Sequence, residues 1–469
     1  MLPLVEIPEI VRHYASFFTP VFSPAAFEQF QRYVSGLIVS ENKTVEGINR
    51  IFVVDVRNQS SLNRLLTESP FSIEALNQAR LALLNSLSGT QMKPKGVLSI
   101  DDTLLTHYGK QFDKIAYLYD SAQACYVWAH NLVNLHYSDD QTDYPVAFRL
   151  WEPADVEVLE AGLPAAGVPI RASKYALKDS DPKKWRQYLM RLWGRHQQKP
   201  DVQQLYQSKL LLAQQLLTPF FTAHPELKLP VTFDNWYTHP AFCRFVDKTL
   251  KRAYVGTLAG DDKVVLASGE QPLETFAQQL QDEHHHALKT GHQPIFRKQS
   301  ISYKGVKETY YCYCKTHHIP NFGKQRLVIN HRRSDLSDSA RFFISNKLNW
   351  QATGITRIRR HRWSVEVYHE EGKVEGLDQY QVRDFEAIYR HIALVAVAYS
   401  LLRAAQHDHA LFHKLQRHVQ TTLDGSAGMW RRNTQAQALW TLATFIATGL
   451  AQGQTLRDVM APLIGALTY

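Results

Sequence analysis

Apolar positions along the chain change their spacing several times, and each change marks a boundary between elements. Up to about residue 90 they recur at intervals of three and four: PAAFEQFQRYVSGLIVS is amphipathic, TVEGINRIFVV follows an Asn-Lys break, SSLNRLLTE follows Asn58, and SIEALNQARLALLNSL opens on Ser72 with Glu74 in its first turn. Lys93-Pro94-Lys95-Gly96 reads as a linker, after which VLSI is a short apolar strand ending at Asp101-Asp102-Thr103. SAQACYVWAHNLVNLHY and, beyond the polar turn SDDQTD, YPVAFRLW complete an antiparallel three-stranded meander. The next stretch, EPADVEVLEAGLPAAGVPIR, reads as a Pro/Gly-rich excursion, with helices expected over about 182–195 and 201–217. LPVTFD is a second short strand ending in an acid, Asp234, with Asn235 after it and a helix over about 240–251.

From residue 254 to about 349 the pattern turns to strands: AYVGTLAG, KVVLASG, RKQSISYKG, KETYYCYCKT, QRLVIN and RFFISN, with one helix near LETFAQQLQDEHH. Helical spacing returns at 357–373, continues through FEAIYRHIALVAVAYSLLRAAQ, and reaches the end through QAQALWTLATFIATGLAQ. Three strands, a helix, a strand and a helix is the order of an RNase H-like core, a mixed sheet with helices on both faces. The expected architecture is therefore α/β. A helical region over 1–92, with three short helices that fit a helix-turn-helix, precedes an RNase H-like mixed-sheet catalytic core. That core runs over 93–252, is interrupted by a β-rich insertion over 253–349, resumes over 350–405 and is followed by a C-terminal helical region over 406–469. Its first and fourth strands can lie side by side, which would bring Asp101 and Asp234 together.

Composition narrows the class. At 469 residues the chain has room for several domains and a buried site. No apolar run was expected to reach the roughly 18 residues of a membrane span, and the start has acids and a proline where a signal peptide needs basic then apolar residues, so a cytoplasmic, nucleoid-associated protein is expected. Four cysteines in so long a chain are no disulfide framework, and Cys312 and Cys314 fit alternate residues on one side of a strand better than zinc ligands. The His284-His285-His286 run reads as an exposed helix end. A net charge of +9 favours a polyanionic partner. Its distribution is more telling: from Arg297 to Arg362 cations recur among Tyr303, Tyr310, Tyr311, Tyr313, Phe322 and Trp350, as on a nucleic-acid surface.

The chemistry concentrates in RIRRHRWSVEVYHEEGK. Read as one helix, it sets Arg359, Arg362, Glu366 and Lys373 within roughly 60–80° of arc, a single acid flanked by cations. Two readings fit such a face. One is a solvated helix with Glu366 paired to Arg362; the other grips phosphate with Arg and Lys while the carboxylate holds a metal ion. Asp101 and Asp234 favour the second, because three acids from three elements are a plausible minimum for a hard divalent cation that breaks phosphodiesters.

These residues together resemble the DDE transposases of bacterial cut-and-paste insertion sequences, in the branch that includes the Tn-five transposase. The matching features are Asp101-x-Thr103 after an apolar strand, Asp234-Asn235 after another, strands before the last acid, and the spacing Arg362-x3-Glu366-x6-Lys373. That spacing lacks only the tyrosine of the branch's Tyr-x2-Arg-x3-Glu-x6-Lys signature, whose position is Arg359. ARFFISNK and GLDQYQVRDFEAIYRH extend the likeness, which covers roughly 95–400. The resemblance implies that Asp101, Asp234 and Glu366 bind two Mg²⁺ or Mn²⁺ ions. It also implies that Arg362 and Lys373 hold phosphates of double-stranded DNA, the transposon ends and the target, bound by a homodimer; Arg359 is expected to bind DNA beside them. Such enzymes cut at the element ends with water and use the freed 3′-OH to attack target DNA. Asp102 is the alternative to Asp101, since consecutive strand residues face opposite ways. A related non-cleaving DNA-binding protein and a metal-dependent nuclease of the same core are the competing functions.

Overall fold

A computed structural model describes residues 2–416 and 425–467; the C-terminal helical region lies partly outside the described residues. Four helices open the chain as expected, α2 (Pro24–Val39), α3 (Val45–Arg50), α4 (Ser60–Thr67) and α5 (Ile73–Ser86), preceded by α1 (Glu9–Phe18), which the sequence reading did not anticipate. Side chains of Ser23, Thr44 and Ser72 each accept a backbone N–H of the helix they precede, so three of these starts are set by local capping. TVEGINRIFVV is helical only in its first half, because Phe52 leaves to form a bridge with Leu4.

Strand β1 (Val97–His107) does not end at its aspartates but runs on for the length of its partner β3 (Cys125–Ser138), from Val97 opposite Ser138 to His107 opposite Trp128. Asp is a poor strand former, yet an unbroken antiparallel ladder outweighs that preference. The other edge of β3 carries β4 (Asp143–Trp151) over one half and β2 (Ala116–Asp120), a strand absent from the sequence reading, over the other. The stretch after β4 is no loose excursion. Asp155 caps α6 (Val156–Ala165), which joins α7 (Ala176–Ser180), α8 (Pro182–His196) and α9 (Pro200–Gln203) around a small core of its own built on Trp185, Leu189 and Trp193. The helix expected over 201–217 is divided, with Ser208 capping a fresh start at α10 (Lys209–Ala223).

Next, β5 (Val231–Phe233) pairs parallel to β1, and beyond α11 (Pro240–Arg244) β6 (Tyr254–Leu258) pairs parallel to β5. The strands of the following stretch are β7 (Lys263–Leu266), β8 (Gly269–Pro272), β9 (Arg297–Tyr303), β10 (Val306–Ile319), β11 (Gly323–His331) and β12 (Arg341–Ser345), with α12 (Leu273–Lys289) among them. They extend the central sheet: β12 pairs with β6, β11 with β12, and β10 with β11, giving a mixed sheet of twelve strands. In α12, His284 is buried and its Nδ1 accepts the N–H of Phe296, while His285 and His286 are exposed, so the expectation of an exposed run fails at its first member.

The stretch 357–373 is two helices, α13 (Ala352–His361) and α14 (Trp363–Val374), joined at Arg362 by a tight turn in which Arg362 N–H donates to Arg359 and Val365 N–H to the carbonyl of Arg362. The single-helix arc therefore does not hold. After it, α15 (Phe385–Ala405) is long and apolar enough to cross a membrane, contrary to the expectation of no such run, but most of it is buried in the protein against α1, α2, α4, α5 and β4. The N-terminal helices thus form one layer with α15, and α16 (His409–Gln416), α17 (Ala427–Ala451) and α18 (Leu456–Leu467) complete the described chain.

A buried charge cluster ties α15 to the sheet. The Asp143 carboxylate, 1 % exposed, accepts from Arg403 at 3.0 Å and Tyr399 at 3.2 Å and is joined by Lys304 from the β9–β10 turn. Burial pushes the Asp143 carboxyl up, but Arg403 and Lys304 outweigh it and hold it well below the usual range. A depressed carboxyl stabilises the fold above the ordinary aspartate value of about 3.9 and loses that contribution as pH falls through the folded-state value. Urea midpoints measured against pH are expected to drop below pH ~4, with Asp143→Asn flattening that drop. Arg403→Ala at neutral pH is expected to cost about 3–5 kcal/mol by leaving a buried charge short of its partner.

Candidate functional site

Parallel pairing between β1 and β5 covers only Leu98 to Ile100 against Val231 to Phe233. Asp101 and Asp234 are each the next residue, so they stand at the same level on neighbouring strands, where spacing is about 4.8 Å. Past that point β1 has no neighbour on its β5 side, and the gap opens into a cleft of about 970 Å³. Asp101, Asp102, Asp234, Arg362, Glu366 and Lys373 all line it.

Arg362, at the joint between α13 and α14, holds the centre. Its Nη1 donates to Asp101 Oδ2 and its Nη2 to Glu366 Oε1, while its buried Nε has no partner. Asp101 is 9 % exposed. Burial pushes its carboxyl up to about 7; Arg362 pulls the other way, and the nearby Asp234, Asp102 and Glu366 add to the rise. Asp234 is also raised, again mainly by burial, and its Oδ1 accepts Tyr237 N–H at 3.0 Å, which shapes the turn after β5. Glu366 does pair with Arg362, but in the cleft beside Asp101 and not on a solvated face.

The joint is anchored from below. Ser138 Oγ on β3 bonds to both His361 Nδ1 at 2.9 Å and Ser364 Oγ at 3.0 Å, one on each side of Arg362. Further along α14, His369 Nε2 meets Asn134 Nδ2 at 3.0 Å. Burial holds the His369 pKa down at about 3, so the ring is neutral and accepts from the amide.

Arg359 stays within electrostatic reach of Glu366, Asp101 and Asp234 but does not line the cleft. Its Nε donates to Thr257 Oγ1 on β6 at 2.9 Å, and it lines a separate cavity of about 320 Å³ with Arg332, Arg341 and Arg360. Arg362 borders both spaces.

Asp102 faces away from α14 and is caged. Its carboxylate accepts from Asn131 Nδ2 at 2.7 Å, Lys209 Nζ at 2.9 Å and Tyr237 OH at 2.9 Å. These partners join β3, the first residue of α10 and the turn after Asp234, and the Lys209 ammonium also sits 4.0 Å from the Trp236 ring centre. No sequence signal pointed to Lys209, Asn131 or Tyr237, because each meets Asp102 only through the fold. Among the described residues no three carboxylate, histidine or cysteine side chains converge closely enough to hold a metal ion. The positive charge between Asp101 and Glu366 is supplied by Arg362.

A cleft of carboxylates where two parallel strands part, in a mixed α/β fold with an arginine at its centre and lysines on its walls, has the makeup expected of an enzyme that acts on phosphodiesters. The chain belongs to the DDE superfamily endonucleases, whose family model matches residues 17–295, more than half of the sequence. That span includes Asp101 and Asp234 and ends before Arg362 and Glu366. No curated protein matches the chain.

The two aspartates are expected to behave differently in urea denaturation at pH 8. Asp101→Asn removes a charge that burial disfavours and still accepts from Arg362, so unfolding free energy should change by less than about 1 kcal/mol. Asp102→Ala leaves the Tyr237 hydroxyl and the Lys209 ammonium without an acceptor and should cost about 1–3 kcal/mol.

Proposed function

We propose that this chain is a transposase of the cut-and-paste type, in the branch that includes the Tn-five transposase, with an RNase H-like core. It binds the ends of its insertion sequence, cuts the DNA and joins the 3′-OH ends to a target. The observation that carries this reading is that Asp101, Asp234 and Glu366 line one cleft with Arg362 and Lys373, at the spacing Arg362-x3-Glu366-x6-Lys373.

The donor chemistry suits a divalent metal. Carboxylate oxygens are the ligands that Mg²⁺ and Mn²⁺ prefer, and Asp101, Asp234 and Glu366 would hold them. Two such ions, when bound, help to activate the attacking oxygen and stabilise the leaving one. The protein's own part is positioning. Parallel pairing fixes Asp101 beside Asp234, and Tyr237 N–H orients the Asp234 carboxylate. Arg362 has a planar fork able to hold two phosphate oxygens, so an incoming phosphodiester competes with Asp101 and Glu366 for it. Lys373 adds a point charge on the same wall. Double-stranded DNA is the partner, engaged by two copies of the chain.

The deciding experiment incubates the protein and Mg²⁺ with a fragment carrying its own element's ends plus a target plasmid, then maps cuts and joints. Cuts at the ends followed by joining support the reading. Cuts without joining make the chain a nuclease, and end binding without cuts makes it a DNA-binding protein only.

Two variants sharpen the test. Glu366→Gln should abolish cleavage while end binding stays near wild type, since it removes a ligand charge and little contact area; a cleavage rate within about threefold of wild type would remove Glu366 from the site. Arg362→Ala and Lys373→Ala should each weaken DNA binding similarly across sequences and lower the slope of log K against log salt by about one unit, with Arg362→Lys a poor rescue. An unchanged salt slope would deny both residues a phosphate.

A further inference from the structure

Beyond the catalytic cleft, β2 and the outer end of β3 form a ribbon with an unusual surface. Tyr117 lies opposite Trp128 and Tyr119 opposite Tyr126, so all four rings share one face. Neighbouring ring centres are 5.2–5.3 Å apart: Tyr119 on Tyr126, Tyr126 on Tyr117, Tyr117 on Trp128. The tyrosines are 54–57 % exposed. Three large aromatics held open to water in one row are costly unless something covers them.

Two further observations indicate what does. Trp128 is opposite His107 in β1, and Asn134, on the same side of β3, is opposite Asp101; the ladder therefore shares the sheet face of Asp101. The ribbon is also continuous with the cleft, because Leu118 through Gln123 form part of its lining. Lys110 reaches over the ladder, its Nζ 5.5 Å from the Trp128 ring centre.

We infer that this ladder is a stacking platform for the unpaired bases of a DNA strand leaving the cleft. The inference rests on the proposed DNA-processing function. Flat aromatic faces take any base, because every base has a π-face, and a cation alongside serves the phosphates. Paired bases in a duplex offer no such faces, so the platform selects single-stranded DNA. A second copy of the chain is the competing occupant, because β2 is an edge strand of the sheet.

The test uses the full-length protein with two labelled probes, an oligo-dT strand and a blunt duplex of equal length, read by fluorescence anisotropy. Tyr117→Ala/Tyr126→Ala should bind oligo-dT about tenfold or more weakly and the duplex within about twofold of wild type, while Tyr126→Phe, which keeps the ring, should match wild type on both. Because these side chains are exposed, the double variant should retain the wild-type melting temperature. An unchanged oligo-dT affinity overturns the platform and leaves the transposase reading standing. A change from dimer to monomer in the double variant, with oligo-dT affinity unchanged, assigns the ladder to self-association and overturns it as well. If the wild type binds neither probe, the platform falls, while the transposase reading stands or falls on cleavage of its own element's ends.

Discussion

The site depends on a mismatch in strand length. β5 pairs with β1 over three residues, whereas β1 continues along β3 to His107. A β5 matched to β1 would fill the gap with backbone hydrogen bonds, and no cleft would exist. Ending the parallel ladder early leaves the next residue of each strand beside the gap, and in both that residue is an aspartate. The third acid lines the same cleft, and Ser138 on β3 ties down both sides of the joint that precedes it.

Much of the fold was legible in the sequence, and the failures have physical causes. The meander, β5 and the strands from 254 to 345 have strong period-two or apolar signals that local propensity does not oppose. β2 was missed because AYLYD keeps its aromatics on an exposed face, so no buried stripe marks it. The end of β1 was placed too early because Asp-Asp opposes strand propensity locally, and the ladder that overrides it comes from residues beyond 125. Helical α6 was hidden by Gly162 and Pro164, which the cap at Asp155 and packing on α8 outweigh.

The candidate site was legible as a set of residue types and not as a network. Asp101, Asp234, Glu366, Arg362 and Lys373 line one cleft, while Arg359, one turn earlier, donates to Thr257 and lines the neighbouring cavity. Asp101 and Asp102 both border the cleft, but their surroundings separate them. The first is buried and accepts from one side chain, that of Arg362; the second is fixed by three side-chain donors from three elements and acts as a brace. Sequence spacing cannot supply that distinction, since Lys209 and Tyr237 are remote along the chain.

The continuous sheet has a consequence for how the protein is made. β1 leaves the ribosome early, yet its parallel neighbour β5 follows only after α6 to α10, and β12, which flanks β6, arrives later still. Such long-range pairings form slowly, and until they form the unpaired edges are exposed. A nascent chain therefore carries Asp101 and Asp234 before it has the helix bearing Arg362 and Glu366. Synthesis that stops short of that helix yields a polypeptide whose cleft lacks the wall carrying Arg362 and Glu366.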